Sequence, residues 1–554
     1  MRILLLVHAF NSLSQRLYVE LAEDGHELSV ELDIHDRVTI EAVELFKPDL
    51  ILAPFLKRAI PPEIWQRHLC LVVHPGPPGD RGPAALDWAI LKGADCWGVT
   101  VLQAQAELDG GPVWGSAAFP MRSARKSSLY RNEVTEGAVG AVRAALARVA
   151  CGAGPLPDAT RGTEHGWQPL LRQAERKIDW VRDDTAAVLR KIHSADGFPG
   201  VEDELGGHRF RLFDAHPEMR LSGKPGRLLA RLDDAVCRAT ADGAVWIGQL
   251  QPASQPSFKR PAVLALGEFA SSLPCAEAAD REIRYEECGA VAYLYFDFYN
   301  GTLSTAQCDR LRAAYARACR RPTRVIVLMG GADFWSNGMH LHCIEASDSP
   351  ADASWANINR IDDLASDILQ TDTHLTIAAL QGNAAAGGVF LALAADCVLA
   401  RSGIVLNPHY RNMGNLYGSE YWTYLLPRRV GAAQADAIMA GRLPLGTPEA
   451  HSLGLIDGHA GPGAGCFRAL VERRALELAA SSGFAQALAD KRERRALDEQ
   501  RRSLADYRAD ELARMRMNFY GFDPSYHIAR HRFVHRTPQA WTPLHLARHR
   551  RTAA

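Results

Sequence analysis

A membrane span, a cysteine framework and a net charge are all missing from this 554-residue chain. No apolar run approaches about 18 residues, so no bilayer-crossing helix is expected. The opening MRILLLV is too short for a secretory core and reads as a first buried strand. The eleven cysteines are odd in number, scattered, and form no C-x-x-C pair. That argues against a disulfide scaffold and a structural zinc site, and points to a cytoplasmic protein with no metal. The net charge of −1 gives no bulk attraction to nucleic acid or to a membrane surface. The local exceptions are HIARHRFVHRTP (His527–Pro538) and HLARHRR (His545–Arg551), which read as solvated or packing surface. No internal repeat is visible.

What is present is ordinary globular composition, 47% hydrophobic and 23% charged, over a length that calls for about three domains. The first 150 residues alternate strand-like and helix-like patterns, with strands at Ile3–Val7, Glu27–Leu32, Asp49–Ala53 and Cys70–Val73. That alternation predicts a parallel sheet with covering helices, and ligands in such sheets sit beyond the carboxyl ends of the strands. His8, the Pro54–Leu56 turn and His74 all follow strands and should meet in one crevice. The Gly/Pro stretch Gly152–Asp158 reads as a linker, and short β-like pieces between Gly207 and Leu250 predict a small barrel or sandwich. From Arg281 strands and helices alternate again, with an apolar helix expected over Val389–Leu399 and charged packing or dimer-interface helices over 486–519. The expected domains are 1–155, 156–275, 276–480 and a C-terminal helical segment with a basic tail, 481–554.

Two segments carry chemistry. In the first, VVHPG, RGP and ELDGG (Val72–Gly111) place a His after a strand, an Arg-Gly-Pro at a helix start and an Asp turn after another strand. Acyl transfer from nitrogen needs proton movement and an oxyanion stabiliser. His74 suits the first need, and Asp109 is suited to orienting it. These residues, with KPDLILAPFLKRAIPPEIW (Lys47–Trp65), resemble the formyltransferase domain of methionyl-tRNA formyltransferase and 10-formyltetrahydrofolate dehydrogenase. ERKIDW (Glu175–Trp180) begins a stretch similar to the OB-like domain that follows it. The resemblance implies 10-formyltetrahydrofolate as formyl donor, held by Phe55, Leu56 and Arg81, and a catalytic trio of Asn, His and Asp. His74 and Asp109 match, while Val72 stands where the Asn belongs. Asn11 is a candidate replacement donor, with a turn role as the alternative.

In the second segment, GGADFWSNGMH (Gly330–His340) and QGNAAAGGVFLALAAD (Gln381–Asp396) each put a glycine turn after a strand. Ala386-Gly387-Gly388 opens a helix, where unsatisfied N–H groups favour a developing anion. Together they resemble the crotonase (enoyl-CoA hydratase/isomerase) superfamily. The resemblance implies a ββα spiral, coenzyme A thioester binding and oxyanion donors at Asn337 and Gly387, with Gly338 and Gly388 lining the site. The two hydratase carboxylates of that family fall on Phe390 and His409, so water addition is not expected. Tyr417, Glu420 and Tyr421 have the right types for proton transfer near a thioester. The HLHC run (His340–Cys343) has no standard metal spacing and reads as loop packing.

The fusion as a whole resembles a family of NiFe-hydrogenase maturation factors. It implies an α/β multidomain enzyme that forms formyl-CoA and then decarbonylates it to carbon monoxide, with hydrogenase maturation proteins as partners. The alternatives are a formyl-CoA or formyl-folate hydrolase releasing formate, and a non-catalytic formyl carrier or chaperone for a hydrogenase precursor. Formyl-CoA has no α-carbon, so the absent hydratase acids would have no work there.

Overall fold

The computed structural model describes residues 1–157, 166–254, 256–276, 282–461 and 463–551, in two compact units: Met1–Ala279 with Pro538–Ala554, and Asp280–Thr537. Of the expected linkers Gly152–Asp158, Gln251–Arg260 and Ser271–Glu277, residues 158, 255 and 277 lie outside the described residues. The segment 481–554, expected as one C-terminal piece, is divided between the two units at Pro538. No helix among the described residues is long and apolar enough to cross a membrane, and all eleven cysteines are free thiols.

The first unit opens with β1 (Arg2–Val7), α1 (Ser12–Glu23), β2 (Glu27–Leu32), α2 (Asp36–Phe46), β3 (Leu50–Phe55) and β4 (Cys70–His74). It continues with α3 (Ala85–Lys92), β5 (Cys96–Gln103), β6 (Val113–Pro120) and α4 (Thr135–Ala150). The sheet order is β2-β1-β3-β4-β5-β6, with β1 to β4 parallel. The strands are nearly continuous runs of Ile, Leu and Val because helices cover both faces. The order reverses between β1 and β3, whose carboxyl ends carry His8 and Phe55, and that is where such sheets bind ligands. A second sheet is antiparallel: β7 (Val201–Leu205), β8 (His208–Glu218), β9 (Leu228–Leu232), β10 (Ala235–Ala239) and β11 (Ala244–Pro252), in the order β7-β8-β11-β10-β9. The helix α5 (Thr185–Ala195) packs its Val188, Leu189 and Ile192 on this sheet.

The second unit contains β12 (Ile283–Cys288), β13 (Val291–Phe296), α6 (Thr305–Ala318), β14 (Val325–Leu328), β15 (Phe334–Ser336), α7 (Leu341–Glu345) and α8 (Pro350–Leu369). Then come β16 (Leu375–Leu380), β17 (Asn383–Ala385), α9 (Gly387–Leu393), β18 (Cys397–Arg401), β19 (Leu406–Asn407), α10 (Trp422–Val430) and β20 (Gly458–Ala460). The long strands form one sheet, β12-β13-β14-β16-β18-β20, and the short strands β15-β17-β19 form another. Three times a long strand is followed by a short one, so three glycine-bearing turns are stacked beside each other. The helix expected over Val389–Leu399 ends at Leu393, and Cys397–Arg401 is β18. The run is apolar throughout, so periodicity cannot separate buried helix from buried strand. Asp396 marks the break, accepting from the Thr376 N–H at 2.8 Å and its hydroxyl at 2.9 Å. The charged stretch forms α12 (Phe484–Arg501) and α13 (Leu504–Tyr520), after α11 (Ala464–Ala480) and before α14 (Ser525–Val534).

The basic tail packs. The Val30 and Leu32 amides on edge strand β2 donate to the Leu546 carbonyl (3.1 Å) and the Thr542 hydroxyl (2.9 Å). Glu31, fully buried, accepts from His549 Nε2 at 2.9 Å, from Arg550 Nε at 3.0 Å and from Thr542. Covering an edge in this way removes a row of open backbone groups. Burial raises the Glu31 pKa, but the His549, Thr542 and Arg550 contacts outweigh it and hold it below the ordinary value. Its stabilisation is therefore present above the ordinary Glu range and lost as pH falls through the lowered value. We expect Glu31→Gln to cost about 3 kcal/mol at neutral pH. Removing residues 538–554 should make the Val30 and Leu32 amides exchange with deuterium at rates of an open edge. Unchanged protection after truncation would contradict this packing.

Candidate functional site

The first cluster sits at the end of β4. His74 is buried, and its Nε2 lies 2.8 Å from Asp80 Oδ2. Its Nδ1 lies 3.7 Å from Asp109 Oδ2, an ion-pair separation rather than a hydrogen bond. Asp109 has a left-handed backbone (φ 54°), and its Oδ2 accepts the Gly82 N–H at 3.1 Å. Thus the expected His74–Asp109 pair is brought together, but the closer carboxylate is Asp80, which sequence reasoning missed. Its signal was present: PGPPGD is a tight turn directly after the catalytic-type His. Gly76 lets that turn fold back, since a β-carbon there would stand 2.3 Å from Asp80 Oδ2 and 2.6 Å from His74 Nε2.

Around this pair, Phe55 lies edge-on to His8 (5.9 Å) and Tyr130 (6.5 Å), and Leu56 packs beside Val72 on the sheet core. Val72 has no polar atom to offer. Asn11 does not replace it: as the N-cap of α1, its Oδ1 accepts from Ser14 N and Oγ, both at 3.0 Å, and its Nδ2 faces the Tyr130 hydroxyl at 3.5 Å. The turn role therefore holds for Asn11. Arg81 is ion-paired with Glu107 beside the Asp109 turn.

The second cluster is built on the stacked turns. Gly387, the first residue of α9, is buried. A β-carbon on Gly338 would stand only 3.5 Å from the Gly387 nitrogen, so these two turns face each other directly. Asn337, expected as one of the two donors, has its N–H engaged in the structure. Its N–H donates to the Gly301 carbonyl at 2.6 Å, and its Nδ2 to the Asn300 carbonyl at 2.7 Å. The residue holds the preceding loop, and Gly338 is the one that faces Gly387; the Gly338 N–H reaches only the Ser336 hydroxyl of its own turn, at 3.1 Å.

Glu420 closes this pocket. A β-carbon on Gly387 would lie 1.9 Å from Glu420 Oε1, so glycine is what permits the carboxyl to rest against the turn. Glu420 is 1% exposed. The Tyr410 hydroxyl is 2.6 Å from Glu420 Oε2 and 2.8 Å from the Ser419 carbonyl oxygen. A phenol has one proton and cannot donate to both. Glu420 Oε2 also accepts the Ser419 N–H at 3.2 Å, and Tyr410 can donate to the Ser419 carbonyl as well when the Glu420 carboxyl carries the proton between them. Phe390 stacks on the Tyr410 ring (5.3 Å between centroids, 16° between planes) and gives this carboxyl a dry wall.

Glu420 and Tyr421 are consecutive left-handed residues (φ 59° and 60°), a strained pair for non-glycine side chains. Two buried carboxyls hold them. Asp362 on α8 accepts the Glu420 N–H and the Ser419 hydroxyl, both at 2.8 Å. Glu511 on α13 accepts the Tyr421 N–H (2.9 Å), the Thr423 N–H (2.8 Å) and the Thr423 hydroxyl (2.6 Å). Burial raises all three acids, and the Asp362 charge raises Glu420 and Glu511 further. Glu420 is pushed up to about 8, Glu511 to about 8 and Asp362 to about 6, the last opposed by Ser419, the Glu420 amide and Arg508. Tyr410, Asp362 and Glu511 were not singled out from the sequence. Of the expected tyrosines, Tyr417 packs on Trp422 (5.4 Å), and Tyr421 is buried with Ser366 and Arg508 as phenol partners. Neither is among the groups that touch Glu420's carboxyl. The HLHC run caps and starts α7, with His340 Nδ1 accepting the Cys343 N–H at 3.2 Å.

A neutral Glu420 has a thermodynamic signature. The unfolded chain releases this proton near 4.5, the folded chain only near 8. The folded state therefore binds more protons in between, and its stability falls as pH rises across that window. Glu420→Gln lacks this term, so its melting temperature should rise relative to the parent between about pH 5 and pH 8. A constant difference over that range would contradict a buried neutral acid.

Three family profiles match the chain: Formyl transferase over residues 19–144, Formyl transferase C-terminal domain over 170–264, and Enoyl-CoA hydratase/isomerase over 290–514. A methionyl-tRNA formyltransferase of Ruegeria pomeroyi is 30% identical over 34% of this chain and 60% of its own. The crystal structure of HypX from Aquifex aeolicus in complex with tetrahydrofolic acid superposes with a TM-score of 0.96 at 50% identity, covering 100% of this chain and 99% of that one. The hydrogenase maturation factor HoxX of Bradyrhizobium diazoefficiens is 55% identical over 99% of this chain and 97% of its own. A formyltransferase part followed by an enoyl-CoA hydratase/isomerase part, matched end to end at this identity, places the chain in the HoxX/HypX family of hydrogenase maturation factors.

Proposed function

We propose that the chain makes carbon monoxide in two steps: formyl transfer from 10-formyltetrahydrofolate to the thiol of coenzyme A, then decarbonylation of formyl-CoA. The observation that carries the reading is the carboxyl of Glu420, buried against Gly387 in a pocket where Phe390 stands in place of a hydratase acid. In the first step His74, fixed by Asp80 and facing Asp109, moves the thiol proton, while the crevice of His8, Phe55 and Leu56 takes the folate. The tetrahydrofolic acid complex of the Aquifex aeolicus relative supports a folate ligand for this chain.

In the second step the Gly338 and Gly387 N–H groups take the thioester oxygen. The C–S bond breaks with its electron pair on sulfur, which receives the Glu420 proton. The formyl proton passes to the carboxylate so formed, and carbon monoxide leaves. No proton is gained or lost overall, which is why a neutral acid is the required resting state. The dry wall of Phe390 and Tyr410 disfavours hydrolysis to formate. Carbon monoxide is a ligand that a NiFe-hydrogenase iron needs, so maturation proteins of that enzyme are the expected recipients, without nucleic acid or membrane.

Supplied with formyl-folate and coenzyme A, the protein should convert deoxyhaemoglobin to its carbon monoxide form. Formate release without carbon monoxide would make it a hydrolase instead. Two variants separate the steps. His74→Ala should abolish formyl-CoA formation yet still release carbon monoxide from added formyl-CoA. Glu420→Gln should form formyl-CoA but decarbonylate it about 10² to 10⁴ times more slowly. Equal loss of both steps in either variant would contradict the assignment.

A further inference from the structure

The His-rich stretch that ends α14 has no part in either site, and it meets a carboxylate from α7. His531 and His535 are one helical turn apart, with the His535 N–H donating to the His531 carbonyl at 2.9 Å, so both rings leave the same face. Glu345 Oε1 lies 2.8 Å from His531 Nδ1 and 3.3 Å from His535 Nε2, and the three ligand-type atoms all lie within 4.8 Å of one another. Metal–ligand bonds of 2.0–2.2 Å in a tetrahedral site put donor atoms about 3.3 Å apart. The separation from His535 matches that value, and the one from His531 is shorter.

The surroundings fit ligands held in advance. Glu345 Oε2 accepts from Arg530 Nε at 2.7 Å, which turns Oε1 toward the two rings. Arg530 is itself fixed by His527 Nδ1 at 2.7 Å, and His527 Nε2 donates to the Phe519 carbonyl at 2.9 Å. Outer contacts of this kind orient the ligands of metal sites. Burial is graded: the Glu345 side chain is 10% exposed, His535 18% and His531 59%. Three protein ligands would thus be anchored from inside, with the remaining coordination positions open to solvent.

We propose that Glu345, His531 and His535 form a binding site for a late first-row divalent cation. Imidazole nitrogen and carboxylate oxygen favour such ions over Mg2+ or Ca2+, which prefer all-oxygen shells. The open positions make the ion exchangeable or able to accept a further ligand. The site lies at the end of α7, a helix that begins three residues after Gly338, so a bound ion would tie the segment following the second pocket to α14.

The test uses the full chain, stripped with a chelator and titrated with Zn2+ by calorimetry and elemental analysis. One Zn2+ per chain is expected. His531→Ala, at an exposed position, should lower the affinity at least tenfold while leaving the circular dichroism and melting of the metal-free protein unchanged. His535→Ala should do the same to the affinity. Co2+ in place of Zn2+ should give visible ligand-field absorption that His531→Ala removes. No stoichiometric binding, or binding by both His variants as tight as the parent's, would overturn the proposal.

Discussion

Everything about the second pocket depends on one turn, Ser419–Thr423, held by two buried carboxylates. Left alone, two successive left-handed residues with side chains would relax. Asp362 and Glu511 together accept five hydrogen bonds from this turn, and that clamp fixes where Glu420 can be. The clamp also sets the charge. Three acids in one dry volume, with Arg508 3.7 Å from Asp362 as the adjacent cation, do not all ionise; burial and the Asp362 charge raise Glu420 against the Tyr410 and Ser419 contacts that lower it. Position and protonation state thus follow from the same set of contacts.

The enoyl-CoA hydratase/isomerase scaffold explains the rest of the arrangement. Its repeated strand pairs bring the turns at Gly338 and Gly387 face to face, whatever chemistry follows. What differs in this chain is the wall: Phe390 and His409 stand where the hydratase acids of the resembled family fall, and Phe390 stacks on Tyr410. The acid arrives instead from the segment after β19 and leans on Gly387, a position open only because that residue lacks a β-carbon. The first pocket follows a similar logic, with Gly76 allowing Asp80 to fold back onto His74.

Much of this was legible in the sequence, for identifiable reasons. The strands of the first unit are continuous apolar runs bounded by Gly, Pro and Asp, and their alternation with helices left few topologies. His74, Asp109, Gly387 and Glu420 stand out as polar or glycine residues in short motifs after strands. The reading failed where partners are distant in sequence. Glu511 lies about ninety residues from the turn that it holds, inside a charged helix where any one acid looks like another. Asn337 came from the resemblance alone, which does not say which backbone N–H is already bonded; in the structure its N–H donates to the Gly301 carbonyl. The run after Gly387 was misdivided because helix and strand are equally apolar when fully buried. The tail read equally as solvated or packing surface because its partner, Glu31, lies more than five hundred residues away; the structure shows packing.

The central claim is that Glu420 carries a proton at neutral pH. Infrared difference spectroscopy tests it directly, by subtracting the spectrum of Glu420→Gln from that of the parent protein at matched pH. The account predicts a protonated-carboxyl C=O band in the parent at pH 7 that disappears as pH rises through about 8. A carboxylate signal at pH 7, with no C=O band assignable to this residue, would contradict it.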